Sequence, residues 1–349
     1  MRCRLTMLVI CCALAQTCWA QASAPQPSGA ASAAPTPTSS DRNAQALQRA
    51  NDAVVGVLAT SVDDARSAAT LGRRRQGSGV VIAEQGLVLT IGYLILEAEQ
   101  VQLLTDDGRQ IPARVVAYDL ATGFGLVQAL VPLKLAPAPF GRPSQLAIEQ
   151  SLMIVSGGAA GTVSPALLVD RRPFAGYWEY AIDGALFTSP PRADHSGAAL
   201  FNSDGELVGI GSLFVADALG PGRTRLPGNM FVPIDLLQPI LPELLARGSS
   251  SISVRAWLGL NCVEQEGAVR IVRVNEESPA DVAGLQIGDQ ILRIDGTAIR
   301  SLAQLWQQLW SQPQAERVVR LSIRRGIQEQ EIVVNAVDRA KALRRPQGI

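Results

Sequence analysis

The sequence predicts a mostly β protein, a barrel or sandwich of short strands followed by a small α+β unit. Three features point there. Short apolar runs recur along the first two thirds of the 349 residues, with no long helical pattern between them. Turn signals such as Asp106-Asp107-Gly108 and Asn202-Ser203-Asp204-Gly205 separate them. From Ile252 onward the pattern changes to strands alternating with two capped helices. Short strands at this spacing, joined by tight turns, belong to closed or stacked sheets. Hydrophobic residues make up 47% of the chain and charged residues 18%, enough apolar material for a core in each of two domains.

From the N-terminus, Arg2 and Arg4 precede the apolar run Leu8 to Leu14, and small residues follow at Ala20, Ala22 and Ala24. A basic start, a short apolar stretch and an A-x-A-like end predict a signal peptide over residues 1–20. The run is shorter than the roughly 20 apolar residues of a membrane span. The mature chain is therefore expected in the periplasm or outside the cell. Residues 21–42, rich in Ala, Pro and Ser, read as a flexible linker.

A first domain is expected over residues 43–246, introduced by a helix from Asp41 to Ala53. Strands are predicted at Val54–Ala59, Gly79–Ile82, Leu87–Thr90, Val101–Leu104, Ile111–Val116, Val163–Val169, Tyr177–Ile182, Leu200–Asn202 and Leu207–Ile210. Ile234, Leu237, Ile240, Leu241 and Leu244 fall at helical spacing, so a helix is expected over Pro233–Leu245. Residues 247–251 read as a linker to a second domain over 252–338. There, Ser278-Pro279-Ala280-Asp281 has the residues of a helix start, and Gly284 those of a stop. Ser301 with Gln304 forms a capping box, and Leu302, Leu305, Trp306, Leu309 and Trp310 give the next helix one apolar face. Strands at Ile291–Ile294, Val318–Ile323 and Glu331–Val334 complete the unit, and residues 339–349 form a basic tail.

Lysine plus arginine and aspartate plus glutamate are equal at 31 each, so the neutral chain has no electrostatic reason to seek nucleic acid or an anionic membrane. Cys3, Cys11, Cys12 and Cys18 lie in the segment expected to be removed, which leaves Cys262 without a partner for an internal disulfide. The chain has 1 histidine, His195. One His and one Cys cannot build a structural zinc site, so no metal and no cofactor are expected, although carboxylate-only calcium sites stay open. Arg73-Arg74-Arg75 reads as part of a solvated loop.

The central region resembles the HtrA/Deg family of trypsin-like serine proteases. The resemblance rests on Gly77-Ser78-Gly79-Val80-Val81-Ile82, Gly86-Leu87-Val88-Leu89-Thr90, Asp106-Asp107-Gly108-Arg109, Asp194-His195-Ser196-Gly197-Ala198-Ala199-Leu200 and Asp204-Gly205-Glu206-Leu207-Val208-Gly209-Ile210. Phe231-Val232-Pro233-Ile234 also fits. The C-terminal unit is similar to that family's PDZ domain through Trp257-Leu258-Gly259-Leu260, Ser278-Pro279-Ala280, Ala283-Gly284-Leu285, Ile287-Gly288-Asp289 and Ile294-Asp295-Gly296. Together these motifs cover roughly residues 45–338. The resemblance implies a trypsin-like double β-barrel domain followed by a small α+β PDZ domain.

It also implies a catalytic serine, histidine and aspartate. The serine carries over to Ser196. The histidine position, after a Leu-Thr strand end, holds Tyr93, and the aspartate position, after a threonine at a strand start, holds Gly123. His195 adjoins Ser196 in sequence, and neighbouring side chains on an extended or turning backbone usually point apart. Lys134 and Lys341, the candidates for a serine–lysine pair, fall in a connecting segment and in the tail. Asp194 stands where the family has the oxyanion-hole glycine, and a carboxylate there opposes a developing negative charge.

In the PDZ unit, Trp257, Leu258, Gly259 and Leu260 resemble the loop whose amides hold a peptide's terminal carboxylate. Leu305 and Leu309, on the helix after Ser301, would line the groove, and Leu305 and Trp306 could equally be core. The expectation is a non-catalytic peptide-binding or regulatory protein of envelope quality control, a pseudoprotease, whose partners are protein C-termini or unfolded segments. A serine endopeptidase with a rearranged base is the alternative. An inactive subunit beside an active relative is another, as is a homotrimer of the family type. Export is tested by N-terminal sequencing of the mature chain, which should begin between Gln21 and Pro25; intact Met1 in a soluble cytoplasmic fraction would exclude it.

Overall fold

Two six-stranded closed barrels and a third, open sheet account for the strands. The computed structural model describes residues 39–344; the predicted signal peptide, residues 21–38 of the linker and residues 345–349 lie outside that range. The helix Ser39–Asp52 leads into the first barrel. Its strands are β1 (Val54–Ser61), β2 (Arg74–Ala83), β3 (Leu87–Ile91), β4 (Ala98–Leu104), β5 (Gln110–Tyr118) and β6 (Phe124–Ala129), closed in the order β1-β2-β3-β6-β5-β4. The second barrel consists of β7 (Ser151–Val155), β8 (Val163–Ala175), β9 (Ala181–Ser189), β10 (Ala199–Phe201), β11 (Leu207–Val215) and β12 (Gly228–Pro233), in the order β10-β11-β12-β9-β8-β7.

Closure removes every edge from these sheets. It also buries strands on both faces, which is why Leu87–Ile91 reads as a continuous apolar run rather than an alternation. One core runs through both barrels, with Leu89, Phe124, Phe187, Phe201 and Ile210 fully or almost fully buried. A smaller cluster around Leu152, Leu168, Leu200 and Phe231 fills the second barrel. The Asn202–Glu206 hairpin turn forms as its residues predict. Asn202 Oδ1 accepts from the amides of Asp204 (3.0 Å) and Glu206 (2.9 Å), and Gly205 takes φ +73°.

The C-terminal unit contains β13 (Ala256–Trp257), β14 (Leu260–Gln265), β15 (Ala268–Val274), β16 (Gln290–Ile294), β17 (Thr297–Ala298), β18 (Arg317–Arg325) and β19 (Gln328–Asp338). The sheet order is β13-β19-β18-β16-β15-β14, with β17 paired to β16, so β14 lies at an edge. The helix Pro279–Val282 is capped by Ser278 Oγ, which accepts from Asp281 N at 3.2 Å. The helix Leu302–Leu309 is capped by Ser301 Oγ, which accepts from Gln304 N at 3.2 Å, and Gln304 Oε1 accepts in return from Arg300 N at 2.8 Å. Leu305, Trp306 and Leu309 of that helix are buried in one core with Leu258, Ile291 and Leu321. Among the described residues, no helix is long and apolar enough to cross a membrane.

Three expectations need correction. The helix predicted over Pro233–Leu245 is broken: β12 continues through Pro233, a single 3-10 turn spans Ile234–Leu236, and the helix is only Leu241–Arg247. Pro239 and Pro242 lack the amide a continuous helix needs, although Ile234, Leu237, Ile240 and Leu244 still face the core. The strand predicted at Tyr177–Ile182 forms only at its end: β8 ends at Ala175 and β9 begins at Ala181, leaving residues 176–180 outside the barrel strands.

The third correction concerns Arg75. It lies in β2 at 6% exposure, not in a solvated loop. Its guanidinium donates to the carbonyls of Gly72 (3.0 Å), Tyr93 (3.0 Å) and Leu96 (2.5 Å) and to Ser67 Oγ (2.7 Å). It thereby ties the segment that carries Tyr93 to its neighbouring strand. Arg75→Met should destabilise the chain by about 2–4 kcal/mol in urea unfolding, because buried carbonyls lose their donors; a change below about 0.5 kcal/mol would show that the tie is dispensable. Cys262 is fully buried, and burial raises its thiol pKa. Mature native protein should therefore leave Ellman's reagent unreacted and yield one thiol on unfolding.

Candidate functional site

Ser196 sits where the two barrels meet, on the loop entering β10. Its carbonyl accepts from Ser78 N of β2 at 2.8 Å, and the next amide, of Gly197, donates to Gly211 O of β11 at 2.8 Å. Gly197 has φ +72°, and a Cβ there would lie 2.0 Å from Ser78 O, so only glycine permits this approach.

Tyr93 follows β3 and reaches the serine. Its Oη lies 2.8 Å from Ser196 Oγ and 2.9 Å from the carbonyl of Ser212. The phenol has one proton and the carbonyl can only accept. The consistent arrangement has Tyr93 donating to Ser212 and accepting from Ser196. Burial pushes the Tyr93 phenol up to about 12, against the opposing pull of the Ser196 hydrogen bond. At pH 7 only about one molecule in 10⁵ would carry a phenolate. A neutral phenol oxygen cannot take the serine proton.

His195 is not the hydrogen-bond partner of Ser196. Its Nδ1 donates to the carbonyl of Arg192 at 2.9 Å, which in the neutral ring leaves Nε2 as the acceptor, while the Ser196 hydroxyl is paired with Tyr93. Lys341 pairs with Glu316 at 2.5 Å in the C-terminal unit, and Lys134 is exposed between the barrels.

Gly123 adopts φ +80°, and a Cβ there would lie 2.9 Å from Tyr180 Oη. Tyr180 is buried beside this position, and its hydroxyl donates to Thr122 O at 2.8 Å. The turn is held by Asp119, whose Oδ2 accepts from Thr122 N (2.8 Å) and Thr122 Oγ1 (2.6 Å), and whose carbonyl accepts from Gly123 N (2.8 Å). Asp119 was not singled out in the sequence. Its signal is an acceptor side chain three residues before a threonine, a local turn pattern rather than a catalytic one.

Asp194 is not an isolated carboxylate. Arg192 Nε donates to its Oδ1 at 2.8 Å, Arg192 also pairs with its Oδ2, and Ser156 Oγ donates to Oδ2 at 2.6 Å. Partial burial works against the charged form, but the bonds from Arg192 and Ser156 outweigh it and hold Asp194 at about 2. The carboxylate is thus charged at neutral pH and largely neutralised by Arg192. This softens the repulsion expected from sequence, while the ion pair occupies the serine loop. Among the described residues, no group of three or more His, Cys, Asp or Glu could hold a metal ion.

In the C-terminal unit, the Trp257–Leu260 segment forms a tight turn before β14. Gly259 has φ +89°, and a Cβ there would lie 2.2 Å from Ser278 Cβ. The amides of this turn are occupied. Glu179 Oε1 accepts from Leu258 N at 2.8 Å and from Gly259 N at 3.1 Å. Glu179 belongs to the stretch that leaves the second barrel between β8 and β9. Trp178 forms an antiparallel bridge with Asn261 of β14, and Tyr177 O accepts from Cys262 N at 2.6 Å. Trp306 Nε1, on the helix Leu302–Leu309, donates to Gly176 O at 2.9 Å. Leu305 and Leu309 are fully buried beneath. Glu179 itself is 3% exposed. Burial pushes its carboxyl up to about 7, against the charge of Arg339 and the amides of Leu258, Gly259 and Leu260.

The double barrel and the third sheet define a class: a trypsin-like peptidase domain followed by a PDZ domain. Residues 77–210 match the trypsin-like peptidase domain family, and residues 256–336 match the PDZ domain family. The two domains in this order, with the relatives below, support an HtrA-family assignment. It is 24% identical over 245 residues to a probable periplasmic serine endoprotease DegP-like of Brucella suis biovar 1, covering 64% of this chain and 45% of that protein. It is 27% identical over 250 residues to the serine endoprotease DegS of Haemophilus influenzae, covering 66% of this chain and 68% of that one. The chain thus spans about half the length of the DegP-like relative. Among solved structures, the HtrA-type protease AlgW with decapeptide superposes with a TM-score of 0.52 at 19% identity, covering 87% of this chain and 99% of that one.

A pH dependence follows from Glu179. The ordinary carboxyl ionises near 4.5, whereas the folded one does so near 7. The folded chain therefore holds a proton that the unfolded chain releases, and stability falls as pH rises through that window before levelling. Relative to Glu179→Gln, the unfolding free energy of the wild type should decline from about pH 5 to about pH 7 and then run parallel. A constant difference across the window would assign the proton elsewhere.

Proposed function

We propose that this chain is an exported, non-catalytic member of the HtrA family that binds extended or C-terminal peptide segments through its PDZ domain. The barrels act as its scaffold. The single observation that carries the reading is the pairing of Ser196 Oγ with Tyr93 Oη, 2.8 Å apart. A serine nucleophile needs a neighbour that removes its proton as it attacks, and that neighbour needs an orienting partner. Tyr93 takes the place of the base and is neutral at physiological pH. Tyr180 fills the space beside Gly123, where an orienting carboxylate would stand. The Ser196 hydroxyl is paired with Tyr93 and not with His195, whose Nδ1 donates to Arg192 O.

Periplasmic action is in keeping with the name of the DegP-like relative and with the basic, then apolar, N-terminus. Peptide binding is in keeping with the matched PDZ domain.

Loss of a triad member costs an enzyme of this kind about 10⁴-fold or more in rate. The mature protein should therefore cleave unfolded casein no faster than buffer, and a fluorophosphonate probe should leave Ser196 unlabelled. Labelling that Ser196→Ala abolishes would establish a working nucleophile and overturn the reading. The double variant Tyr93→His, Gly123→Asp should stay inactive. Residue 123 would have to hold a side chain at φ +80° with its Cβ 2.9 Å from Tyr180 Oη.

A further inference from the structure

The stretch between β8 and β9 makes contacts that the barrel does not require. Gly176 N donates to Tyr180 O at 2.8 Å, closing the base of the loop, so the residues between project from the hairpin. Tyr177 stays half-exposed, but Trp178 is partly buried and Glu179 almost wholly so. Residues 177 to 179 run antiparallel to β14, with Tyr177 opposite Cys262, Trp178 opposite Asn261 and Glu179 at Leu258 and Gly259. β14 is otherwise an edge strand. A peptide added to such an edge pairs its backbone with the strand and places its carboxylate on the turn amides. The stretch runs in that direction, from Gly176 toward the turn, and the carboxylate that arrives there is the side chain of Glu179.

We propose that residues 176–179 are an internal ligand that closes the PDZ groove, and that an outside carboxyl terminus binds only by displacing them. The inference rests on reading the groove as a peptide site. Chemistry favours closure in the resting chain. A tethered ligand competes at an effective concentration of about millimolar or more, whereas a free peptide must be supplied and ordered. The amides of Leu258 and Gly259 are buried with Glu179, so opening the groove without a replacement leaves donors unpaired. A terminal carboxylate is the group that replaces Glu179 at both amides. An amidated terminus carries no such charge.

The experiment uses the full mature chain and a set of fluorescein-labelled decapeptides with apolar last residues, each as free acid and as amide. Binding is read by fluorescence anisotropy. Glu179→Ala should bind free-acid peptides at least tenfold more tightly than wild type, and amidated peptides should gain nothing. In a second variant, Trp178→Cys with Asn261→Cys, the two thiols face each other as a bridge pair. Oxidised glutathione, reduced in the process, joins them in a disulfide. The oxidised form should bind no peptide, and dithiothreitol should restore binding. This pair decides the matter should Glu179→Ala fail to fold. Wild type binding as tightly as Glu179→Ala, or an oxidised pair that still binds, overturns the internal ligand while leaving the groove a peptide site. Absence of binding by every form, the reduced pair included, overturns the peptide reading and the internal ligand with it.

Discussion

A buried carboxylate must find partners, and the partners of Glu179 lie in the other domain. At 3% exposure it cannot rely on water, so its oxygen takes the amides of Leu258 and Gly259. Breaking such an arrangement from one side leaves uncompensated polar groups and costs about 3–5 kcal/mol when a buried charge loses its partner. Around it, Trp306 Nε1 bonds Gly176 O, Arg339 bonds Glu179 O at 2.8 Å, and Ala175 and Ala181 pack on the PDZ core. This short excursion of chain ties the second barrel to the PDZ sheet.

The same excursion ends beside the protease cleft. Tyr180, the next residue, bonds Thr122 O and lies against Gly123. Gly123 O accepts from Gly92 N at 2.6 Å, and Tyr93 then reaches Ser196. Contacts thus run without a gap from the PDZ turn to the serine. Tyr180 occupies the space at Gly123, Tyr93 saturates Ser196, and Arg192 neutralises Asp194. Each replacement is matched by a neighbour, so the site is packed and hydrogen-bonded as a structure in its own right.

Much of this could be read along the chain. The strand runs, the Asp-Gly turns and the capping boxes at Ser278 and Ser301 are local signals, and the corresponding elements form. The identities of residues 93, 123 and 194 followed from motif order, because the elements that carry them are themselves marked by short motifs. What failed locally failed for local reasons: Pro239 and Pro242 interrupt an otherwise helical apolar spacing. The strand expected at Tyr177–Ile182 failed for a distant one. Its aromatic residues have high strand propensity, but the backbone here pairs with β14 and with Trp306 instead of a barrel strand, while Trp178 and Tyr180 still pack on the barrel core.

The sequence by itself determined the two kinds of domain, their order, and the absence of a histidine outside position 195. Only the tertiary structure decided that Tyr93 bonds Ser196 across 103 positions of sequence, that Arg75 is buried beneath Tyr93, and that Glu179 fills the PDZ turn from 80 residues away. The physical reason is range. Periodicity, caps and turns depend on neighbours within a few residues, so they are written in the chain. Whether a carboxylate or a phenol is exposed, paired or buried depends on which distant groups folding brings to it, and no local pattern encodes that.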